Sequence, residues 1–152
     1  RRRKLPYGPG ALQRFIVHNP QQHYFTFSAE HRQRLRPVAV FDLLLNNADR
    51  KGGHLLLDEQ DHLWAIDHGI CFHTEPKLRT VIWDFAGQPI PAELLNDVQR
   101  LLDEETALRA ALQPLLRPGE IRALLRRGRA LLETQTFPLP NPHKRAYPWP
   151  PI

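Results

Sequence analysis

The side chains best suited to chemistry fall in two short stretches. Asn46-Asn47-Ala48-Asp49-Arg50-Lys51-Gly52-Gly53-His54 follows an apolar segment, and Asp67-His68-Gly69 closes the apolar run that ends at Ile66. Phosphoryl transfer needs a carboxylate beside the attacking hydroxyl, oxygen or nitrogen ligands for divalent ions on the phosphates, and a cation against the phosphoryl oxygens. Asp49 is the candidate for the first role, His54 and Asp67 for the second and Lys51 for the third. Plainer roles stand beside these. Asp49 could cap a turn, His54 could bond to backbone, Lys51 could be solvated, and Arg50 could pair with an acidic side chain and hold the loop. Asp67, directly after an apolar strand, is the hardest to explain by structure alone.

The surrounding pattern says how such residues would be positioned. Pro37 suits the first turn of a helix through VAVFDLLLNNA (38–48), whose middle is apolar nearly all round and therefore buried. DRKGG (49–53) breaks that helix. HLLLD (54–58) and HLWAI (62–66) read as two short strands of a hairpin, which brings Asp49, His54 and Asp67 together. Upstream, LQRFIV (12–17) reads as a strand, HYFTF as an extended piece, and SAEHRQRL as a short helix capped by Ser28. Downstream, Trp83 and Phe85 are expected to anchor an irregular stretch. Helices follow at 92–103, 105–113 and 118–133, the first with a leucine stripe at helical spacing. The expected architecture is mainly α with a short β-hairpin.

Composition sets bounds on function. The 152 residues are 41% hydrophobic and 24% charged, with no apolar run near the ~20 residues that span a bilayer. One cysteine, Cys71, excludes an internal disulfide framework and fits a cytoplasmic protein. His68, Cys71 and His73 have a spacing that gathers around zinc only in an extended segment, and a thiol between apolar neighbours is a poor nucleophile. The net charge of +5 is local: residues 1–36 carry eight basic side chains and one acid, Glu30, whereas the remainder has 13 basic and 15 acidic ones. Such an arm touches phosphates without reading sequence, so no specific nucleic-acid binding is expected. With no methionine and an opening Arg1-Arg2-Arg3-Lys4, the chain reads as the durable part of a longer protein.

FDLLLNNADRKGGHLLL followed by LWAIDHGICF resembles the C-terminal lobe of the protein-kinase-like fold, in the atypical branch that holds type II phosphatidylinositol 4-kinases. The longer span, through EPKLRTVIWDFAGQPIP to FPLPNP and PWPP, resembles a bacterial phosphatidylinositol 3-/4-kinase-like family. The resemblance makes Asp49 the catalytic base, Arg50 its basic neighbour and Lys51 a residue at the transferred phosphate. It puts Asn47 and Gly69 in the nucleotide-binding set and Asp67 on the metal. His54 stands where such kinases keep asparagine, which points to manganese as an alternative to magnesium beside ATP. Glu75, Lys77 and Arg79 fall in the place of an activation segment.

The implied organisation is a basic arm and turn at 1–11, a kinase-like C-lobe with a hinge strand at 12–136, and a proline-rich tail packed on the body at 137–152. No G-x-G-x-x-G is present, so the N-terminal β-rich lobe that covers the phosphates is missing from these residues. The expected function is transfer of the ATP γ-phosphate to a hydroxyl acceptor, a phosphoinositide or a protein. The lobe alone should be weak or inactive, and its exposed lobe interface invites a dimer. The competing reading is a pseudokinase-like module that binds nucleotide or a partner without catalysis.

Overall fold

A computed structural model describes residues 12–152. Its elements run α1 (Ala29–Gln33), α2 (Arg36–Leu45), β1 (Leu55–Leu57), β2 (Leu63–Ala65), α3 (Ala92–Asp103), α4 (Glu105–Leu112) and α5 (Pro118–Thr134). The basic arm at 1–11 lies outside the described residues, so this part of the organisation is not described. The result is a mainly helical fold with one two-stranded antiparallel hairpin, in register Leu55↔Ala65, Leu56↔Trp64 and Leu57↔Leu63. No helix among the described residues is long and apolar enough to cross a membrane.

The core gathers the inward faces of α2, β1, α3 and α5 around Phe85, which is 1% exposed and meets Phe137 with ring centroids 5.4 Å apart. Val40 and Leu44 come from α2, Leu55 and Leu57 from β1, Val98 from α3, and Leu124 and Leu131 from α5. Helices α3 and α5 approach closely at Gly128, where an added Cβ would stand 3.2 Å from Leu102. A side chain there would require Leu102 to give by a few tenths of an ångström. The hairpin's turn is held by Asp58, whose carboxylate accepts from Trp64 Nε1 (2.7 Å) and from the backbone N–H of Gln60 (3.0 Å) and His62 (2.9 Å).

Several local expectations are corrected. Residues 12–17 are not a strand. Leu12, Phe15 and Val17 are exposed, only Ile16 is buried, and a single bridge joins His18 to Asp58. A strand needs a ladder of successive pairings, and this one isolated bridge does not make one. The piece at 23–27 forms a 3-10 turn, Tyr24–Thr26, because His23 and Thr26 cap it reciprocally. Helix α2 ends at Leu45, three residues before the expected end, with Asn46 in the left-handed conformation (φ 57°). His54 belongs to a 3-10 turn, Gly52–His54, rather than to β1.

The tail starts at Phe137, which is buried in the core, while its later aromatics stand out. Tyr147 and Trp149 are exposed rather than packed. The segment is held by its backbone: the carbonyl of Ala146 accepts from Thr80 N–H (3.1 Å) and Trp83 Nε1 (3.3 Å), and that of Pro151 accepts from Gly52 N–H (2.7 Å).

Candidate active site

The loop after α2 is built on a buried charge. Asp42, in the apolar body of α2, is 1% exposed and faces Arg50, which is wholly buried. Arg50 donates to Asp42 through Nε (2.8 Å) and Nη2 (2.9 Å), and its Nη1 donates to the carbonyl of Ile66 (2.6 Å). A planar guanidinium makes such a two-bond match with a carboxylate, and the third bond ties in the end of β2. Asn47 completes the frame. Its Nδ2 donates to Asp42 Oδ1 (3.0 Å), and its Oδ1 accepts from the backbone N–H of Asp49 (3.0 Å).

Around this frame the backbone is stitched to two further segments. The N–H of Arg79 bonds Asn47 O (2.9 Å), that of Arg50 bonds Arg79 O (3.0 Å), and that of Ala48 bonds Ile70 O (2.9 Å). Asn46 continues the pattern, its Nδ2 donating to the carbonyls of His73 (2.9 Å) and Glu75 (2.7 Å) and its Oδ1 accepting from Lys77 N–H (2.9 Å). These bonds explain why α2 stops where it does: Asn46 has better partners outside the helix than within it.

The frame leaves two polar pairs at the surface. Asp49 and Lys51 are partly exposed, with Lys51 Nζ 3.5 Å from Asp49 Oδ2. His54 Nε2 lies 3.4 Å from Asp67 Oδ2. Asp67 is itself in the left-handed conformation (φ 53°), one that aspartate adopts more readily than most residues. Its Oδ1 accepts from Gly69 N–H (3.3 Å), and a Cβ at Gly69 would sit 3.3 Å from that oxygen. Burial holds His54 below the ordinary histidine range, with Asp67 acting in the opposite sense. Nδ1 of His54 accepts from Lys51 N–H (3.4 Å), so the neutral ring carries its proton on Nε2, facing Asp67.

The expected residues therefore divide into two layers. Asp49, Lys51, His54, Asp67 and Gly69 lie on the solvent side, while Asn47 and Arg50 stand behind the loop with their polar atoms engaged by protein. Asp42, which completes the frame, was not singled out by sequence reasoning. Its signal was a lone carboxylate inside VAVFDLLL, where an unpaired charge is too costly to bury. The contact of the tail with Gly52 had no signal at all.

A divalent ion would find two adjacent donors, Asp67 Oδ2 and His54 Nε2, and no group of three or more His, Cys, Asp or Glu side chains able to hold a metal exists among the described residues. Two donors suit an ion that completes its shell with phosphate oxygens and water, as magnesium commonly does. His54 would join as a ligand through Nε2 in its other tautomer, with the ring proton moved to Nδ1 and the long bond from Lys51 N–H given up. Cys71 is no nucleophile: burial, with Asp42 nearby, pushes its thiol up to about 11.

Residues 1–117 match the family described as "Phosphatidylinositol 3- and 4-kinase". The chain belongs to that family. It is 41% identical over 157 aligned positions to "Protein Rv2133c" of Mycobacterium tuberculosis, an alignment covering 94% of this chain and 56% of that protein. More distant relatives are two Arabidopsis thaliana proteins. "Phosphatidylinositol 4-kinase gamma 7" is 26% identical over 82% of this chain and 21% of its own length. "Phosphatidylinositol 4-kinase gamma 5" is 29% identical over 76% of this chain and 20% of its own length. The chain thus spans about half the length of the mycobacterial relative and a fifth of the plant ones. No solved structure matches it. As a member of this family the chain has the helical lobe and hairpin of a kinase-like C-lobe.

Proposed function

We propose that this chain is the loop-bearing lobe of an ATP- and divalent-metal-dependent phosphotransferase acting on a hydroxyl acceptor. The reading rests chiefly on one observation. A buried Asp42–Arg50–Asn47 frame holds the backbone of Asp49 while its side chain stays partly exposed. In this reading Asp49 accepts the proton of the attacking hydroxyl, and Lys51, 3.5 Å away, balances charge on the phosphoryl oxygens. Asn47 and Arg50 act as positioning residues, and Gly69 keeps space beside the carboxylate of Asp67. Asp67 and His54 are the residues that would hold magnesium or manganese, whose chemistry there is neutralisation of phosphate charge.

The acceptor is a phosphoinositide in this proposal, consistent with the family to which the chain belongs. The proposal places the chain beside type II enzymes, on the resemblance of Ala65-Ile66-Asp67-His68-Gly69 to their A-I-D-N-G segment. The adenine and phosphates need a cover that a glycine-rich lobe supplies in related kinases, and exposed Leu12, Phe15 and Val17 are where such a lobe would pack. A second copy placed there would instead give a dimer. The lobe by itself is a weak nucleotide binder with negligible turnover, because preorganisation around the phosphates is incomplete.

The test is transfer of labelled γ-phosphate from ATP to phosphatidylinositol vesicles by the complete product of the gene. Transfer that disappears in Asp67→Ala, with the circular dichroism unchanged, supports the proposal. A complete protein that binds nucleotide yet transfers nothing with either magnesium or manganese overturns it and assigns a pseudokinase role.

A further inference from the structure

A cavity of about 1010 Å³ opens on another side of the lobe, between the 75–79 segment, α5 and the tail. None of Asp49, Lys51, His54 or Asp67 lines it. Its wall is apolar where Leu43, Leu78, Trp83, Leu131, Phe137 and Leu139 meet. Lys77, Arg79, Arg127, Lys144 and Arg145 also line it, against the single carboxylate of Glu75. None of these five cations makes an ion pair among the described residues.

Arg127 is the most telling of the five. Its Nε donates to Leu44 O (2.7 Å) and its Nη1 to His73 O (3.2 Å), while Nη2 is closed off from water with no partner. Burial accordingly draws the guanidinium down to about 10. An acceptor in the cavity would satisfy that donor if the guanidinium turned toward it. Five cations with one acid favour a ligand head bearing more than one negative charge, and a phosphate monoester carries about −1.5 to −2 at pH 7. The apolar wall asks for a hydrocarbon body, and a volume near 1,000 Å³ lies at the upper end of small-ligand pockets.

We propose that this cavity binds a single-chain phosphate-monoester lipid, its chain along Trp83, Leu131 and Phe137 and its phosphate among Arg127, Lys144 and Arg145. The lipid is an accessory ligand, not a phosphate acceptor, since Asp49 does not reach the cavity. It would join the 75–79 segment to the tail, both of which are bonded to the loop that carries Asp49.

The test is calorimetric titration of the chain with oleoyl lysophosphatidic acid below its micelle concentration. Oleoyl lysophosphatidylcholine and glycerol 3-phosphate serve as chain-only and head-only controls. Saturable one-to-one binding of the first, with each control weaker by about tenfold or more, is the expected result. Lys144→Glu with Arg145→Glu should weaken it by about tenfold or more, both positions being exposed. Ala130→Trp, at an exposed position on the cavity wall, should block it by filling the space without removing charge. Absence of binding, equal binding of either control, displacement by ATP at equal strength, or unchanged binding in both variants would overturn the proposal. Because the readout is binding, its failure leaves the phosphotransfer reading untouched.

Discussion

Arg50 and Asp42 meet through two hydrogen bonds, 2.8 and 2.9 Å long, with neither side chain reaching water. Removing one partner leaves a buried, uncompensated charge, so Asp42→Ala and Arg50→Met should each destabilise the chain by ~3–5 kcal/mol. Removing both should cost less than the sum of the two single changes. Urea denaturation of the four proteins in a double-mutant cycle measures the coupling, and an additive result would mean that the pair does not act as a unit.

Asp49→Asn keeps the size of the side chain and removes the proposed base. In the complete gene product, kcat should fall by roughly 10²–10⁴-fold while nucleotide affinity and melting temperature hold. A single-turnover assay beside a thermal melt separates these. A parallel loss of stability would instead favour a purely structural Asp49.

His54→Asn exchanges an imidazole for an amide at the place that faces Asp67. Imidazole is a better ligand for transition metals than for magnesium, so the ratio of manganese- to magnesium-supported activity should fall in the variant. Activity at saturating concentrations of each ion gives that ratio, and an unchanged value would remove His54 from the metal.

The hairpin carries a pH signature of its own. The hydrogen bond from Trp64, then those from backbone, hold the carboxyl of Asp58 below the ordinary aspartate range. A depressed folded value means that this stabilisation is present above the unfolded value of about pH 4 and lost as pH falls through the folded one. Melting temperature followed from pH 7 downward should therefore drop more steeply in the parent chain than in Asp58→Asn.

Cys71 should resist alkylation in the folded chain. With its thiol raised to about 11, iodoacetamide labelling at pH 8 should be slow and should accelerate on denaturation. Mass spectrometry with and without urea reads this directly.

Much of the lobe could be read from residue order because its signals are local. The leucine stripe marks α3, Pro118 opens α5 where expected, and two short apolar runs give the hairpin that brings His54 to Asp67. The misreadings share a cause. LQRFIV has strand composition but is followed only by a single bridge from His18 to Asp58, and Asn46 leaves α2 for carbonyls about thirty residues away. Both outcomes depend on segments distant in sequence, which a local pattern does not contain. The same holds inside the site. Asp49 and Asp67 are visible as exposed acids beside turns, whereas the left-handed backbone of Asp67 and the carbonyl that Pro151 lends to Gly52 arise only from assembly.

That last bond carries a consequence for biosynthesis. Gly52 N–H waits for a carbonyl 99 positions later in the chain, at Pro151. A ribosome delivering roughly 5–20 residues each second therefore releases the Asp49 loop several seconds before its final tie exists. Until then the loop rests on Asp42, Asn47 and the nearer carbonyls of Ile66, Ile70 and Arg79, and the tail's carbonyl is the last of these partners to be made.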